Sequence, residues 1–297
     1  MNDVHPMRCA LTEQQAQSAE QQLDWVPLGI DPNVPSIART YDYLLGGAHN
    51  FAVDRQLADN VEKIMPRSRE IARLNRAFLR RAVLFLIESG IRQFLDIGSG
   101  VPTVGNVHEI AQLAAPDARV VYVDKDPVAV AHSELLLQDN KGASIIQADL
   151  REPERILNHP ETVRLLDFEQ PIGLLMVMML HFVPDSDNPM QIIATYRDAL
   201  VPGSYLALSH VTADQRADQI SEAAQEISRS RSSDQLSYRS HAEVSRFFDG
   251  FELVEPGVVG CGLWRPDGPG GISNDPDSNA HVYAGIGRKP GGPVTNE

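Results

Sequence analysis

Two aspartates and two glycines sit close enough along this chain to build one ligand site. The stretch Phe94-Leu95-Asp96-Ile97-Gly98-Ser99-Gly100 runs from apolar residues through an acid into a two-glycine turn, and Val101-Pro102-Thr103 follows. A second apolar run, Arg119-Val120-Val121-Tyr122-Val123, ends in Asp124. Strand, glycine turn, helix and strand in that order make a nucleotide-binding βαβ unit. Glycine has no Cβ, so the backbone can approach a ligand closely. A carboxylate at the tip of the second strand can accept hydrogen bonds from both hydroxyls of a ribose, and it repels a 2′-phosphate. Asp149 follows a third apolar run, and His181 follows the nearly continuous run from Pro171 to Leu180. An acid at a strand end is also an ordinary turn former. A single histidine can equally satisfy a hydrogen bond or move a proton.

The elements that must hold these residues are legible from caps and periodicity. Ser36 is placed to cap a helix over 37–45 that Gly46-Gly47 stops. Asp54 is placed to cap a second helix ending near Met65-Pro66, and Ser68 a third with Gly90 just past its end. In the third, Ile71, Leu74, Phe78, Ala82 and Phe85 recur at spacings of three and four, a stripe that must lie on a sheet or a helix. Further helices are expected over 104–114, 126–137, 153–166 with a break near His159-Pro160, 187–200, 213–230 and 240–248. Ser240 and Glu243 form a capping box at the start of the last. Strands are expected over 94–97, 119–124, 144–148, 171–180, 204–211, 251–254 and 281–287. The fourth reads as a central strand buried on both faces. Alternating strands and helices give a three-layer α/β fold of seven strands, mostly parallel. The last two strands are joined by a Gly- and Pro-rich loop without helical pattern, so that pair is expected to be antiparallel. The expected organisation is a flexible leader over 1–35, with a short helix at 12–23, a helical cap over 36–89, a core over 90–290 and a tail over 291–297. Cap and core form one compact domain.

Composition narrows the partners. The chain has 297 residues, 42% of them hydrophobic, enough for a proper core. A formal charge of −14 disfavours docking on a phosphate backbone, so no nucleic acid partner is expected. Cys9 and Cys261 lie far apart without metal-ligand spacing, so no metal is expected and a reducing cytoplasm is the simplest compartment. No apolar signal core opens the chain, and the run Leu174–Leu180 is too short to span a bilayer, so no membrane partner is expected.

Four stretches in order resemble the S-adenosylmethionine-dependent methyltransferases of the Rossmann-like class: Leu95-Asp96-Ile97-Gly98-Ser99-Gly100, Val123-Asp124-Lys125-Asp126-Pro127, Ala148-Asp149-Leu150 and Leu200-Val201-Pro202-Gly203-Ser204. The segment Ser36-Ile37-Ala38-Arg39-Thr40-Tyr41-Asp42-Tyr43-Leu44-Leu45-Gly46-Gly47, with Asn75-Arg76-Ala77-Phe78 and Trp264-Arg265-Pro266, resembles one bacterial methyltransferase family long catalogued as a domain of unknown function. The resemblance covers roughly residues 30–290. Pro102 stands where the superfamily's glycine turn often carries a third glycine.

The resemblance implies S-adenosylmethionine as cofactor, with Gly98, Gly100 and Asp96 lining its amino acid portion. It implies that Asp124, with Lys125 beside it, takes the ribose and that Asp149 and Leu150 take the adenine. His181 would face the methyl group and the substrate as general base or contact, and Tyr43 is a further catalytic candidate. Tyr41, Tyr43, His49 and Asn50 can form a lid over the sulfonium, whose charge aromatic faces favour; equally, the tyrosines can dock the cap helix. Arg39 and Arg76 can each reach a carboxylate of cofactor or substrate, or pair with Asp42 or Glu70. Trp264 can wall the acceptor pocket or plug the core. Met176, Met178 and Met179 read as core packing, and 228–233 as a polar connection. The expected activity is methyl transfer to a small-molecule acceptor by a cytoplasmic monomer or homodimer. Two alternatives remain: a cofactor-binding regulatory protein without transfer activity, and a nicotinamide-dependent oxidoreductase, which would carry a fuller G-x-G-x-x-G.

Overall fold

The computed structural model describes residue 27 and residues 30–103, 105–266 and 275–291. The expected helix at 12–23, Cys9 and residues 292–297 lie outside the described residues. Three helices come first: α1 (Ile37–Leu44), α2 (Ala52–Ile64) and α3 (Ser68–Glu88). The apolar stripe of α3 (Ile71, Phe78, Ala82 and Leu86) packs with Phe94, Val120 and Ala207 on one face of the sheet. Gly90, at φ +92°, ends the helix in the left-handed conformation that glycine adopts without strain. Asp54 lies in the first turn of α2 and accepts the Phe51 N–H at 2.7 Å. None of the three caps expected for these helices acts as read from the sequence: Asp54 is the third residue of α2, and Phe51 precedes that helix. Ser36 precedes α1, but its hydroxyl donates to Asp126 across the fold instead of capping the helix. Ser68 is the first residue of α3, and its buried Oγ has no partner.

The chain then alternates: β1 (Gln93–Ile97), α4 (Val107–Ala114), β2 (Arg119–Asp124), α5 (Pro127–Leu137), β3 (Ala143–Gln147), α6 (Pro153–Leu157), α7 (Pro160–Leu165), β4 (Gly173–Val177), α8 (Pro189–Ala199), β5 (Tyr205–Val211), α9 (Ala217–Arg229), α10 (His241–Arg246), β6 (Glu252–Leu253), β7 (Val259–Gly260), α11 (Pro276–Asn279) and β8 (Val282–Arg288). The sheet runs β3-β2-β1-β4-β5-β8-β6, with β7 also on β8. Strands β1 to β5 are parallel, and β8 is antiparallel to β5, β6 and β7. The eighth strand, β7, and the short α11 lie in the stretch read as irregular loop. Two residues are too few to leave a period-two pattern.

Side chains alternate between two cores. Phe94, Val120 and Tyr122 pack with α3 and α4, whereas Leu95, Ile97, Val121 and Val123 pack with Ile156, Leu165, Ile192 and Val244 from α6, α7, α8 and α10. The chain moves outward from β1 to β2 and β3, then returns to place β4 on the other side of β1. That reversal opens a crevice at the carboxyl ends of β1 and β4, the place where such sheets bind ligands. No helix among the described residues is long and apolar enough to cross a membrane.

Candidate active site

The crevice begins where β1 ends. Gly98 and Gly100 have φ of +75° and +69°, which bulky residues rarely adopt. A Cβ on Gly98 would come within 2.1 Å of the Met179 side chain. The N–H groups of Gly98 and Ser99 donate to the carbonyl of Val123 at 2.7 and 3.1 Å, so the turn is pinned to the end of β2. There Asp124 accepts the Gly100 N–H at 2.7 Å and the Asp126 N–H at 2.8 Å. Its carboxylate thus links the glycine turn to the start of α5 while still lining the crevice. Burial pushes the Asp124 carboxyl up to about 6, against the two N–H donors that stabilise its anion. Burial pushes Asp96 up to about 7; Arg76 opposes the shift and Asp124 adds to it.

Beyond Asp124 a narrower slot is lined by Leu150, Met179, Phe182 and Val183, with Asp149 at its edge. Burial alone would raise the Asp149 carboxyl, but the Arg151 guanidinium, 2.6 Å away, and the Arg151 N–H hold it below its ordinary value. Lys125 and Asp234 form an ion pair at the mouth shared by crevice and slot.

The opposite wall is a directional hydrogen-bond chain. The Met178 N–H donates to Ser209 Oγ at 2.9 Å, and Ser209 donates to Asn75 Oδ1 at 2.6 Å. Asn75 Nδ2 donates to the Tyr41 hydroxyl at 3.0 Å, which donates to the Ala72 carbonyl at 3.1 Å. This chain joins α1, α3, β4 and β5 behind the crevice. Met178 has φ +58°, a sparsely populated conformation for a methionine. Burial pushes the Tyr41 hydroxyl up to about 12, so it stays protonated at neutral pH. Beside Met178, His181 is 1% exposed and its Nδ1 has no partner. Burial holds it well below the ordinary histidine value, with His210 and Arg239 adding to the effect. Arg239 donates to His210 Nε2 at 2.9 Å and to the Leu180 carbonyl at 3.2 Å, fixing the backbone that carries His181.

The crevice therefore gathers Tyr41, Arg76, Asp96, Gly98, Gly100, Asp124, Lys125 and His181, with Asp149 and Leu150 in the adjoining slot. The other expected site residues are placed differently. Arg39 is 4% exposed and pairs with Asp54 at 2.8 Å and Asp126 at 3.1 Å, while stacking over Phe51 at 4.7 Å. Its charge is spent tying α1 to α2 and α5, so it does not reach into the crevice. Tyr43 turns to the other side of α1, beneath the Arg69 guanidinium at 4.7 Å. Asn50 binds Asp42 and the Gly47 carbonyl, closing the turn after α1. His49 lines a neighbouring outer cleft, with its ring 4.1 Å from that of His132. Trp264 is fully buried, edge-on to Phe78 and Phe85 at 5.7 and 5.6 Å, and plugs the core without lining the crevice. Conversely, Asn75, Met178, Ser209 and Phe182 were not expected at the site. Asn75 alone left a usable signal, a polar residue in the apolar stripe of α3 beside Leu74 and Phe78.

A search of curated proteins finds no match. Among solved structures, a candidate methyltransferase from Thermobifida fusca is 45% identical, covering 90% of this chain and 99% of that one with a TM-score of 0.84. A DUF574 family protein from Streptomyces avermitilis is 38% identical, covering 88% and 99% with a TM-score of 0.83. Residues 24–290 match the S-adenosyl methyltransferase family, so the chain belongs to that family and is an enzyme that methylates with S-adenosylmethionine as its cofactor.

Proposed function

We propose that the methyl acceptor is a small molecule and that His181 receives its proton. The observation that carries this reading is His181 itself. It lines both the crevice and a second, apolar pocket, and its buried Nδ1 has no partner. S-adenosylmethionine supplies an electrophilic methyl group on a sulfonium. In this reading Asp96 sits by the cofactor's amino acid end, where Gly98 and Gly100 leave room for it. Asp124 accepts from the ribose hydroxyls, and Leu150 lies against the adenine with Asp149 by its amino group. Arg76, which donates to the Gly105 carbonyl at 2.7 Å, braces the loop after the glycine turn.

The chain's own contribution is position, exclusion of water and one proton. A charged imidazolium beside a sulfonium would be repelled, and burial keeps His181 neutral. A neutral imidazole can accept the proton that a hydroxyl or amine acceptor sheds. Tyr41, held protonated with its proton on the Ala72 carbonyl, can only pack against the reacting groups. The test is transfer of radiolabelled methyl to a panel of small acceptors, with calorimetry of S-adenosylhomocysteine as a binding control. His181→Gln is expected to lower kcat by about 10²–10⁴-fold, the usual worth of a positioned base, with product affinity within about twofold. Undiminished turnover in that variant would remove His181 from the chemistry.

A further inference from the structure

The donor crevice accounts for only one side of His181. On its other side lies a half-open apolar chamber of about 120 Å³. Leu44, Leu57, Val61, Ile71, Ile220 and Ile227, from α1, α2, α3 and α9, form much of its wall. No Asp, Glu, Lys or Arg lines it among the described residues, whereas the crevice presents Arg76, Asp96, Asp124 and Lys125.

Most polar groups at the chamber are already satisfied by the protein. Thr40 Oγ1 donates to the Ser36 carbonyl at 2.7 Å. The Tyr41 hydroxyl is engaged by Asn75 and Ala72. Both ring nitrogens of His281 are engaged, by the Asp277 carbonyl at 2.7 Å and Gln219 Oε1 at 3.1 Å. Two atoms are not satisfied: His181 Nδ1 and Ser68 Oγ, on residues 1% and 6% exposed. A buried polar atom without a partner is costly to the fold.

These walls select against charge. An ionised acceptor would leave water for a surface with no counter-ion, which disfavours it. An apolar body gains in proportion to the surface it removes from water. The size is also informative, since a dry cavity of roughly 150 Å³ lined by aliphatic and aromatic side chains takes up benzene.

Building on the methyltransferase reading of the crevice, we propose that the acceptor is an uncharged molecule whose apolar body is about one aromatic ring in size. It sits in this chamber with a hydroxyl or amine turned to His181, and Ser68 offers a hydrogen bond to a second polar group. The chamber lies between the cap helices and the sheet, so acceptor choice resides in α1, α2, α3 and α9, and donor binding resides in the strand ends.

The experiment has two stages. Calorimetry with S-adenosylhomocysteine first establishes the donor crevice; failure of that binding strikes the donor reading itself. Protein saturated with S-adenosylhomocysteine is then titrated with p-cresol and with its charged counterpart p-toluate. p-Cresol is expected to bind at least tenfold more tightly. Ala223→Phe, which projects a ring into the chamber from α9, is expected to weaken p-cresol at least tenfold and to leave S-adenosylhomocysteine within about twofold. Met65→Trp, at the less buried rim, serves the same purpose should Ala223→Phe fail to fold. Equal binding of p-toluate, no binding of p-cresol to protein that binds S-adenosylhomocysteine, or undiminished p-cresol binding in a folded plugged variant would each overturn the proposal.

Discussion

The donor crevice and the chamber beside it share Ile37, Tyr41, Met178, His181 and Phe182 but are made of opposite materials. The crevice is built from backbone turns and carboxylates at strand ends, with Asp124 and Asp149 held by hydrogen bonds from main-chain N–H groups. The chamber is built largely from aliphatic side chains on helices, and among the described residues two buried polar atoms there lack partners. A charged, multi-part donor needs fixed polar contacts, and fixed contacts need rigid strand ends. An apolar acceptor needs only shape and dryness, which helix faces supply. Substitutions in the two regions should therefore fail in different ways: chamber variants through stability, crevice variants through affinity.

The largest effect expected of that contrast is in the chamber wall. Ile220 is 1% exposed and packs in the same core as Ile71 and Val211. Ile220→Ala should cost about 2–5 kcal/mol of folding stability, read by urea unfolding, and should leave S-adenosylhomocysteine affinity nearly unchanged in the folded fraction. A large loss of affinity with intact stability would merge the two regions into one. Next comes Asp124→Asn. The amide keeps the shape but loses the charged acceptor, so donor affinity should fall by about 1–3 kcal/mol, measured by calorimetry. Affinity equal to wild type would refute the ribose assignment.

The third effect is one of pH. Asp124 and Asp96 titrate in the free protein at about 6 and about 7, both raised by burial. If donor binding requires the anions, affinity is full above pH 7 and declines as pH falls through 7 and then 6. At pH 5, one unit below the Asp124 value, that group alone should cost roughly tenfold. The sign for the ligand-free fold is opposite. With raised acid values the folded state holds more protons than the unfolded state, so these two groups favour folding more as pH drops toward 4. Asp96→Asn should flatten the upper limb of the affinity profile. A profile flat from pH 8 to 5 would mean that neither carboxylate contacts the donor.

The same contrast explains what could be read in the chain beforehand. The crevice was legible because its signal is local: Asp96, Gly98 and Gly100 lie within five residues, and Asp124 closes the next strand. The chamber was not, because Leu57, Ile71 and Ile220 are ordinary members of amphipathic helices. Nothing nearby in sequence tells a packed isoleucine from one facing a cavity. Arg39 looked available for a ligand because its partners Asp54 and Asp126 are 15 and 87 residues away. Trp264 looked like a pocket wall because its Gly- and Pro-rich surroundings read as a surface loop. Instead Arg81 on α3 binds the carbonyls of Cys261 and Trp264, at 3.0 and 2.9 Å, and draws the ring into the core.

The smallest effect tests where the crevice ends. Lys125 pairs with Asp234 from the segment between α9 and α10, which crosses the mouth of the crevice, and the backbone of that segment also touches the site where the Ser237 N–H donates to the His181 carbonyl at 2.7 Å. Lys125 is 38% exposed, so water screens the pair, and such pairs contribute about 0–1 kcal/mol. Lys125→Met should therefore shift donor affinity by less than about fivefold, and the shift should shrink further as salt is added. A loss well beyond that, persisting at high salt, would show that the segment is part of the donor site and not a cover lying on it. Donor recognition would then extend past the strand ends into the helical half of the molecule, and the division of labour between crevice and chamber would no longer hold.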